Sequence, residues 1–226
     1  MNKMSIVELP PNDPVKEVRS KASTSLVVTQ NGKAYYWPLY FNSGEIVLKP
    51  LEIVLPQKLQ VATIACGYNF SVLVAKNGLV FTYGKENNFG QLGHGDLYPR
   101  ENPTLIVSLK NEGAKVTIVA CGYKHVICKT AIGKVYTWGW GEKGQLGHGN
   151  YHNIHAPKML VLPNVANALG TKIKTIQVEA GFKHSMMFLE SKKIVWFGSN
   201  GSIEDQCVPT EINLALKVII NQLIIF

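Results

Sequence analysis

A stretch of this chain occurs twice. Ile64-Ala-Cys-Gly-Tyr-Asn-Phe-Ser-Val-Leu-Val-Ala-Lys-Asn-Gly-Leu-Val-Phe-Thr-Tyr-Gly84 returns as Val119-Ala-Cys-Gly-Tyr-Lys-His-Val-Ile-Cys-Lys-Thr-Ala-Ile-Gly-Lys-Val-Tyr-Thr-Trp-Gly139, 55 residues later and without a gap. Each copy then runs into Gly-Gln-Leu-Gly-His-Gly, at 90–95 and 144–149. A long fixed period of this kind means a stack of similar units, none of which buries its apolar faces alone.

Two weaker copies flank the strong pair. Downstream, Val178 to Leu189 and Trp196-Phe-Gly198 place Gly181, His184 and Gly198 at the positions of Gly122, His125 and Gly139; the hexamer is lost there. Upstream, Ser25 to Trp37 matches Ser71 to Tyr83, but the Cys-Gly pair reads Ser20-Lys21 and the hexamer is again missing. The expected division is an N-terminal extension over 1–14, repeats over 15–57, 58–112, 113–170 and 171–212, and an apolar tail over 213–226 that has the character of a first strand of a further unit.

Within a unit the pattern predicts short strands. In the third repeat these are Val116–Ala120, His125–Lys129 and Lys134–Trp138, rich in β-branched and aromatic residues. Asn31-Gly32, Asn77-Gly78 and Ile132-Gly133 fall where a tight hairpin is needed, and Asn-Gly suits a type I′ turn. Cys66-Gly67 and Cys121-Gly122 predict a sharp turn with close backbone approach between the first two strands. Fourth strands are expected over Pro103–Val107 and Pro157–Val161. Four antiparallel strands repeated radially make propeller blades, so the fold class is all-β.

The order Cys-Gly-x-x-His-Ser, Gly-x-Val-x-x-Trp-Gly, Gly-Gln-Leu-Gly-His-Gly resembles the RCC1 (regulator of chromosome condensation) repeat, closely in repeats two and three, partly in four and weakly in one. The resemblance implies β-propeller blades, about four of them. Rings in this family have seven blades, so an incomplete or open ring is expected. Three readings follow: a fragment of a longer ring, closure with another chain, or an open arc that leans on a larger assembly. The last two are the expectation here.

The repeats also decide how the reactive side chains are read. His94, His148, His125 and His184 recur with the period and are expected to be structural, bonding backbone groups between blades. Cys66 and Cys121 recur too, with Gly67, Gly122 and Gly181, and are read as packing residues. Cys121, His125 and Cys128 lack the paired Cys-x-x-Cys spacing of a zinc site. The glycines from 84 to 95 lack the Lys-Ser or Lys-Thr ending and the strand-to-helix setting of a phosphate loop. No catalytic constellation, cofactor site or metal site is expected.

The net charge of +8 is concentrated in the third repeat, where Lys115, Lys124, Lys129, Lys134, Lys143 and Lys158 face only Glu142. A patch of this kind favours acidic surfaces. Arg19 and Arg100 are the only arginines, and arginine is the usual reader of phosphates and bases. No 18-residue apolar run or secretory leader pattern occurs, and the thiols read as reduced. These features predict an intracellular, cytoplasmic protein without membrane contact. The family resemblance adds cytoskeletal and ciliary settings, and the lack of a basic import cluster speaks against the nucleus.

The leading expectation is a non-enzymatic interaction scaffold whose protein partners close or support the open propeller. Its surface would be the loops 87–89, 96–101 and 149–155, with Tyr98, Arg100, Trp140, Tyr151, His152 and His155 as anchors. Against this, Trp140 would simply cover a neighbouring blade. The family's founding member is an exchange factor for the small GTPase Ran that also binds chromatin, so GTPase regulation is the alternative and nucleic-acid or chromatin binding the second. The β-wedge used in exchange has no place in this chain.

Overall fold

The computed structural model describes residues 9, 12–22, 24–37, 40–42, 45–47, 50–162, 174–201 and 204–212. The tail over 213–226 lies outside the described residues. The first unit comprises β1 (Val15–Lys21), β2 (Thr24–Thr29), β3 (Ala34–Tyr36) and β6 (Leu51–Ile53), with the hairpin β4 (Tyr40–Asn42) and β5 (Glu45–Val47) between the last two. The second comprises β7 (Val61–Cys66), β8 (Phe70–Ala75), β9 (Val80–Gly84) and β10 (Arg100–Leu105). The third comprises β11 (Val116–Cys121), β12 (His125–Thr130), β13 (Val135–Gly139) and β14 (Ile154–Met159). The fourth comprises β15 (Thr175–Ala180), β16 (His184–Leu189), β17 (Ile194–Gly198) and β18 (Gln206–Glu211). Each is a four-stranded antiparallel meander, that is, one propeller blade, and the sheets do not close into a ring.

The fourth strands begin about three residues earlier than the sequence suggests, and in blade 2 the strand also ends earlier, at Leu105, because Val107–Asn111 forms a short helix, α1, in the link to the next blade. The hairpins also differ from expectation. In blade 2, Gly78 N–H bonds Ala75 C=O and Ala75 N–H bonds Leu79 C=O, which closes a three-residue loop. Only Gly78 is left-handed, at φ 86°, so this is a type I turn followed by a glycine bulge and not a type I′ turn. A single left-handed position is needed, which is why Ile132-Gly133 serves as well as Asn-Gly. In blade 4 Lys192 takes that position, at φ 64°.

The apolar core lies between blades. β7 packs on β1 and β2, β11 on β7 and β8, and β15 on β11 and β12. Leu26, Val28 and Ala34 meet Val61, Ile64, Leu73 and Phe81; Val72, Val74 and Val80 meet Val116, Val119, Val126 and Trp138; Ile127 and Val135 meet Val178, Met187, Val195 and Phe197. β8 is therefore buried along its whole length, whereas β16 alternates. The outward face of blade 4 leaves Ile176 and Phe188 exposed, with Met186, Ile194 and Trp196 half-buried beside them.

The Gly-Gln-Leu-Gly-His-Gly loop of one blade clasps the next. Gln91 C=O accepts from Trp138 Nε1 at 3.0 Å, and Gln145 C=O accepts from Ser185 Oγ at 2.8 Å. Each loop is held to its own blade by a buried threonine. Thr82 Oγ1 bonds Leu92 C=O and His94 Nε2, and Thr137 Oγ1 bonds Leu146 C=O and His148 Nε2. Thus His94 and His148 bond a hydroxyl within their own blade, not backbone groups between blades as expected. In the two blades without a clasp, the threonine position in strand three is a large aromatic, Tyr36 or Trp196.

Candidate interaction surface at the loop end of the blades

In each meander the turn between strands one and two and the loop between strands three and four lie at the same end. At that end the turns of blades 2, 3 and 4 are joined to each other. Tyr68 N–H donates to Tyr123 C=O at 2.9 Å, and Tyr123 N–H donates to Phe182 C=O at 3.1 Å. Their rings form a row: Tyr68 and Tyr123 are tilted at 43° with centroids 4.7 Å apart, and Tyr123 and Phe182 are stacked with centroids 4.3 Å apart. Phe89 and Tyr123 flank Trp140 at 6.0 and 6.4 Å. Phe182, at the end of the row, is 52% exposed.

Lys124 sits among these rings. Its Nζ lies 5.6 Å from the Tyr68 centroid, 5.0 Å from Phe89 and 5.3 Å from Tyr123, and it pairs with Glu86 at 3.2 Å. Such a cation gains from the ring faces as well as from the carboxylate. Asn69 and Lys124 both donate to Glu86, and these bonds hold its pKa below the ordinary value.

The turns that carry the row require glycine. A Cβ on Gly67 would stand 1.8 Å from Phe70 Cε1, on Gly122 1.9 Å from His125 Cε1, and on Gly181 2.2 Å from His184 Cε1. The close approach is thus by the ring three residues later more than by backbone. The loop 85–99 is organised by buried Asn87, whose Oδ1 accepts from Leu92 N–H and whose Nδ2 donates to the carbonyls of Asp96 and Tyr98.

All six anticipated anchors lie at this end, in differing states. Tyr98 is the freest, 72% exposed, and His152 is exposed. The Arg100 guanidinium is used internally, by Asp96 at 2.6 Å and by Tyr98 C=O. Tyr151 donates its hydroxyl to Asp205 C=O in blade 4, and His155 backs against Gly90 and accepts Gly95 N–H through its carbonyl. Trp140 reaches Phe89 of the preceding blade, so the cover role weighed against it is part of what it does. The aromatic row itself was missed. Its signal stood in the aligned copies, as the residue after each turn glycine: Gly67-Tyr68, Gly122-Tyr123, Gly181-Phe182.

His125 and three of the four cysteines are enclosed in the core. His125 Nε2 lies 3.0 Å from Ser185 Oγ, a spacing reminiscent of a nucleophile and its base, but both residues are fully buried. Burial holds the His125 pKa at about 3. Burial also pushes the Cys66 thiol up to about 12 and raises Cys121 and Cys128, which suits packing more than nucleophilic chemistry. Among the described residues, no group of three His, Cys, Asp or Glu side chains is placed to hold a metal ion, and no helix is long and apolar enough to cross a membrane.

Blades joined in series, with their loops presented at one end, define a β-propeller-type repeat protein. The sequence family is specific: an RCC1 (regulator of chromosome condensation) repeat model matches residues 77–128 and 133–188, and a second such model matches 61–91 and 116–145. The chain belongs to the RCC1-repeat family. It is 29% identical over 197 residues to the ultraviolet-B receptor UVR8 of Arabidopsis thaliana, covering 84% of this chain and 42% of the receptor. It is 35% identical over 164 residues to the human E3 ubiquitin-protein ligase HERC2, covering 73% of this chain and 3% of the ligase. The chain thus spans less than half the length of either relative. Among solved structures, human WBSCR16 superposes with a TM-score of 0.76 at 21% identity, over 91% of this chain and 55% of that one. Prp20p of Saccharomyces cerevisiae, whose structure was described with its binding to Gsp1p and histones, gives 0.69 at 18% identity, over 89% and 52%.

Proposed function

We propose that the chain is a non-catalytic protein–protein interaction module that docks partners on the loop end of blades 2 to 4. The carrying observation is the row Tyr68, Tyr123, Phe182, a set of aromatic rings joined by interblade backbone bonds and bordered by Trp140, with exposed Tyr98 on a loop at the same end. Rigid aromatic surface dominates binding hot spots because it gives contact area at little cost in side-chain entropy. The uncovered Ile176 and Phe188 on blade 4 support membership of a larger assembly. The free cysteines fit a cytoplasmic setting.

The test is a quantitative comparison of partners captured by the full chain and by two variants. Phe182→Ala with Tyr98→Ala strips the loop end. Ile132→Ala alters an exposed residue in the hairpin at the other end. Specific partners are expected to drop out with the first variant and to remain with the second; equal retention by both refutes the assignment. GTPase regulation, the reading suggested by the family and by the binding of Prp20p to Gsp1p, is decided separately by nucleotide release from a panel of small GTPases. Chromatin or nucleic-acid binding through the blade 3 lysines predicts affinity that falls steeply with salt.

A further inference from the structure

The concave side of the arc holds a cleft of about 350 Å3. Its walls are β1, β7, β11 and β15, each the edge strand of its own sheet. Lysines already serve those edges: Lys16 Nζ donates to Ala62 C=O at 2.6 Å, and Lys21 Nζ donates to Cys121 C=O at 2.8 Å. Charged side chains of this sort blunt unpaired strand edges.

Lys21 stands apart from every other residue of the cleft. In the aligned repeats it occupies the place of Gly67, Gly122 and Gly181. Its side chain bridges from blade 1 to blade 3, over a sequence separation of 100. Among the described residues no carboxylate lies within ion-pairing distance of it; the six ion pairs present join other groups. An ammonium has three donors, and one carbonyl satisfies one of them. Partial burial of an unpaired cation is costly, which here appears as a pKa lowered by desolvation. The surrounding charges do not cancel it. Arg19 is engaged by Glu17, which also accepts from Thr63; Glu179 on the far wall accepts from Gln177; His125 and His184 are kept neutral by burial.

Lys21 and Cys121 both close their strands at the loop end, so the ammonium stands at the loop-end mouth of the cleft, the end at which Tyr68 and Tyr123 follow Cys66 and Cys121 in the chain. We infer that this mouth is a carboxylate pocket: Lys21 pairs with an Asp or Glu side chain of a partner polypeptide whose adjoining residues lie on the aromatic row. The inference rests on the docking surface proposed above and names the chemistry of what docks there. A carboxylate restores the missing counter-charge and takes up donors of the ammonium that the Cys121 carbonyl leaves free.

The experiment titrates the 15N-labelled full chain with acetyl-Gly-Glu-Gly-amide, with its Gln counterpart, and with inorganic phosphate, following the backbone amides of Lys21, Cys66 and Cys121. The Glu peptide is expected to shift these amides saturably. The Gln peptide should bind about tenfold more weakly, the scale of one partly buried charge pair. Lys21→Met keeps the length and packing of the stem and should lose a similar factor for the Glu peptide. Lys21→Arg should retain most of it. The dispersion of the same spectra verifies that both variants fold. Equal response to the Glu and Gln peptides, or unchanged binding in Lys21→Met, overturns the inference. Phosphate binding more tightly than the peptide at these amides also overturns it, in favour of a small free anion. If the carboxylate effect is absent while Phe182→Ala with Tyr98→Ala still abolishes partner capture, only the pocket fails; if both are absent, the docking surface fails too.

Discussion

His125 makes the stability of this chain depend on pH in a direction and by an amount that its surroundings set. Ser185 Oγ donates to Gln145 C=O, so its oxygen accepts from His125 Nε2–H, and this leaves Nδ1 bare. Among the described residues Nδ1 has no partner, and it is buried. A proton added there would be an unpaired charge in the core, which is why burial brings the pKa from 6.5 to about 3. The unfolded chain takes up that proton first. The contribution is therefore fully present above pH 6.5 and is lost as pH falls from there towards about 3. Between about pH 7 and about pH 5, one such histidine costs about 2 kcal/mol. The substitution that isolates it is already present in the chain, since blade 2 has Phe70 at this position. His125→Phe forfeits the bond to Ser185, about 1 kcal/mol, at every pH. Urea unfolding at the two pH values should show the wild type losing about 2 kcal/mol more than the variant on acidification. The lowered pKa values of His94, His148 and His184 act in both proteins and cancel in the difference. Parallel losses in the two proteins would refute the reasoning.

Thr137→Val keeps the shape of the side chain but leaves the buried Leu146 carbonyl without its 2.7 Å donor and His148 without its 2.8 Å partner; denaturant titration should show a loss of about 1–3 kcal/mol. Gly122→Ala drives a methyl group into the His125 ring and should cost about 3 kcal/mol. Gly113→Ala meets open space at φ 65° and should cost only about 1–2 kcal/mol. Thermal unfolding of the pair should therefore rank Gly122→Ala well below Gly113→Ala.

The blades were legible because their pattern is local. β-branched runs, Gly-centred turns and a strict offset place every strand of blades 2 and 3 within a few residues. What one copy alone could not reveal is what a residue meets in the next blade. Gln91 and Gln145 look like loop glutamines, yet it is their carbonyls that hold the neighbouring sheet. The exchange of Thr82 and Thr137 for Tyr36 and Trp196 is visible in the alignment, but its meaning needs the packing: an aromatic ring stands in strand three where no clasp loop is present to need a threonine. Lys21 is the sharpest case. As a sequence it is a lost glycine, a sign of decay in the weakest repeat. In space it is a side chain that reaches across the arc, and only the distance to Cys121 distinguishes the two.

The clasp also separates the unit of duplication from the unit of cohesion. Gly-Gln-Leu-Gly-His-Gly is inherited with one repeat and grips the following one, through Trp138 or Ser185. A repeat copied or transplanted by its sequence boundaries therefore carries half of two different joints. It would seat well only beside a successor that offers a matching donor. Trp138 and Ser185 are unlike side chains, so each boundary has its own key, and the order of blades along the chain is written into those boundaries as firmly as into the linkers between them.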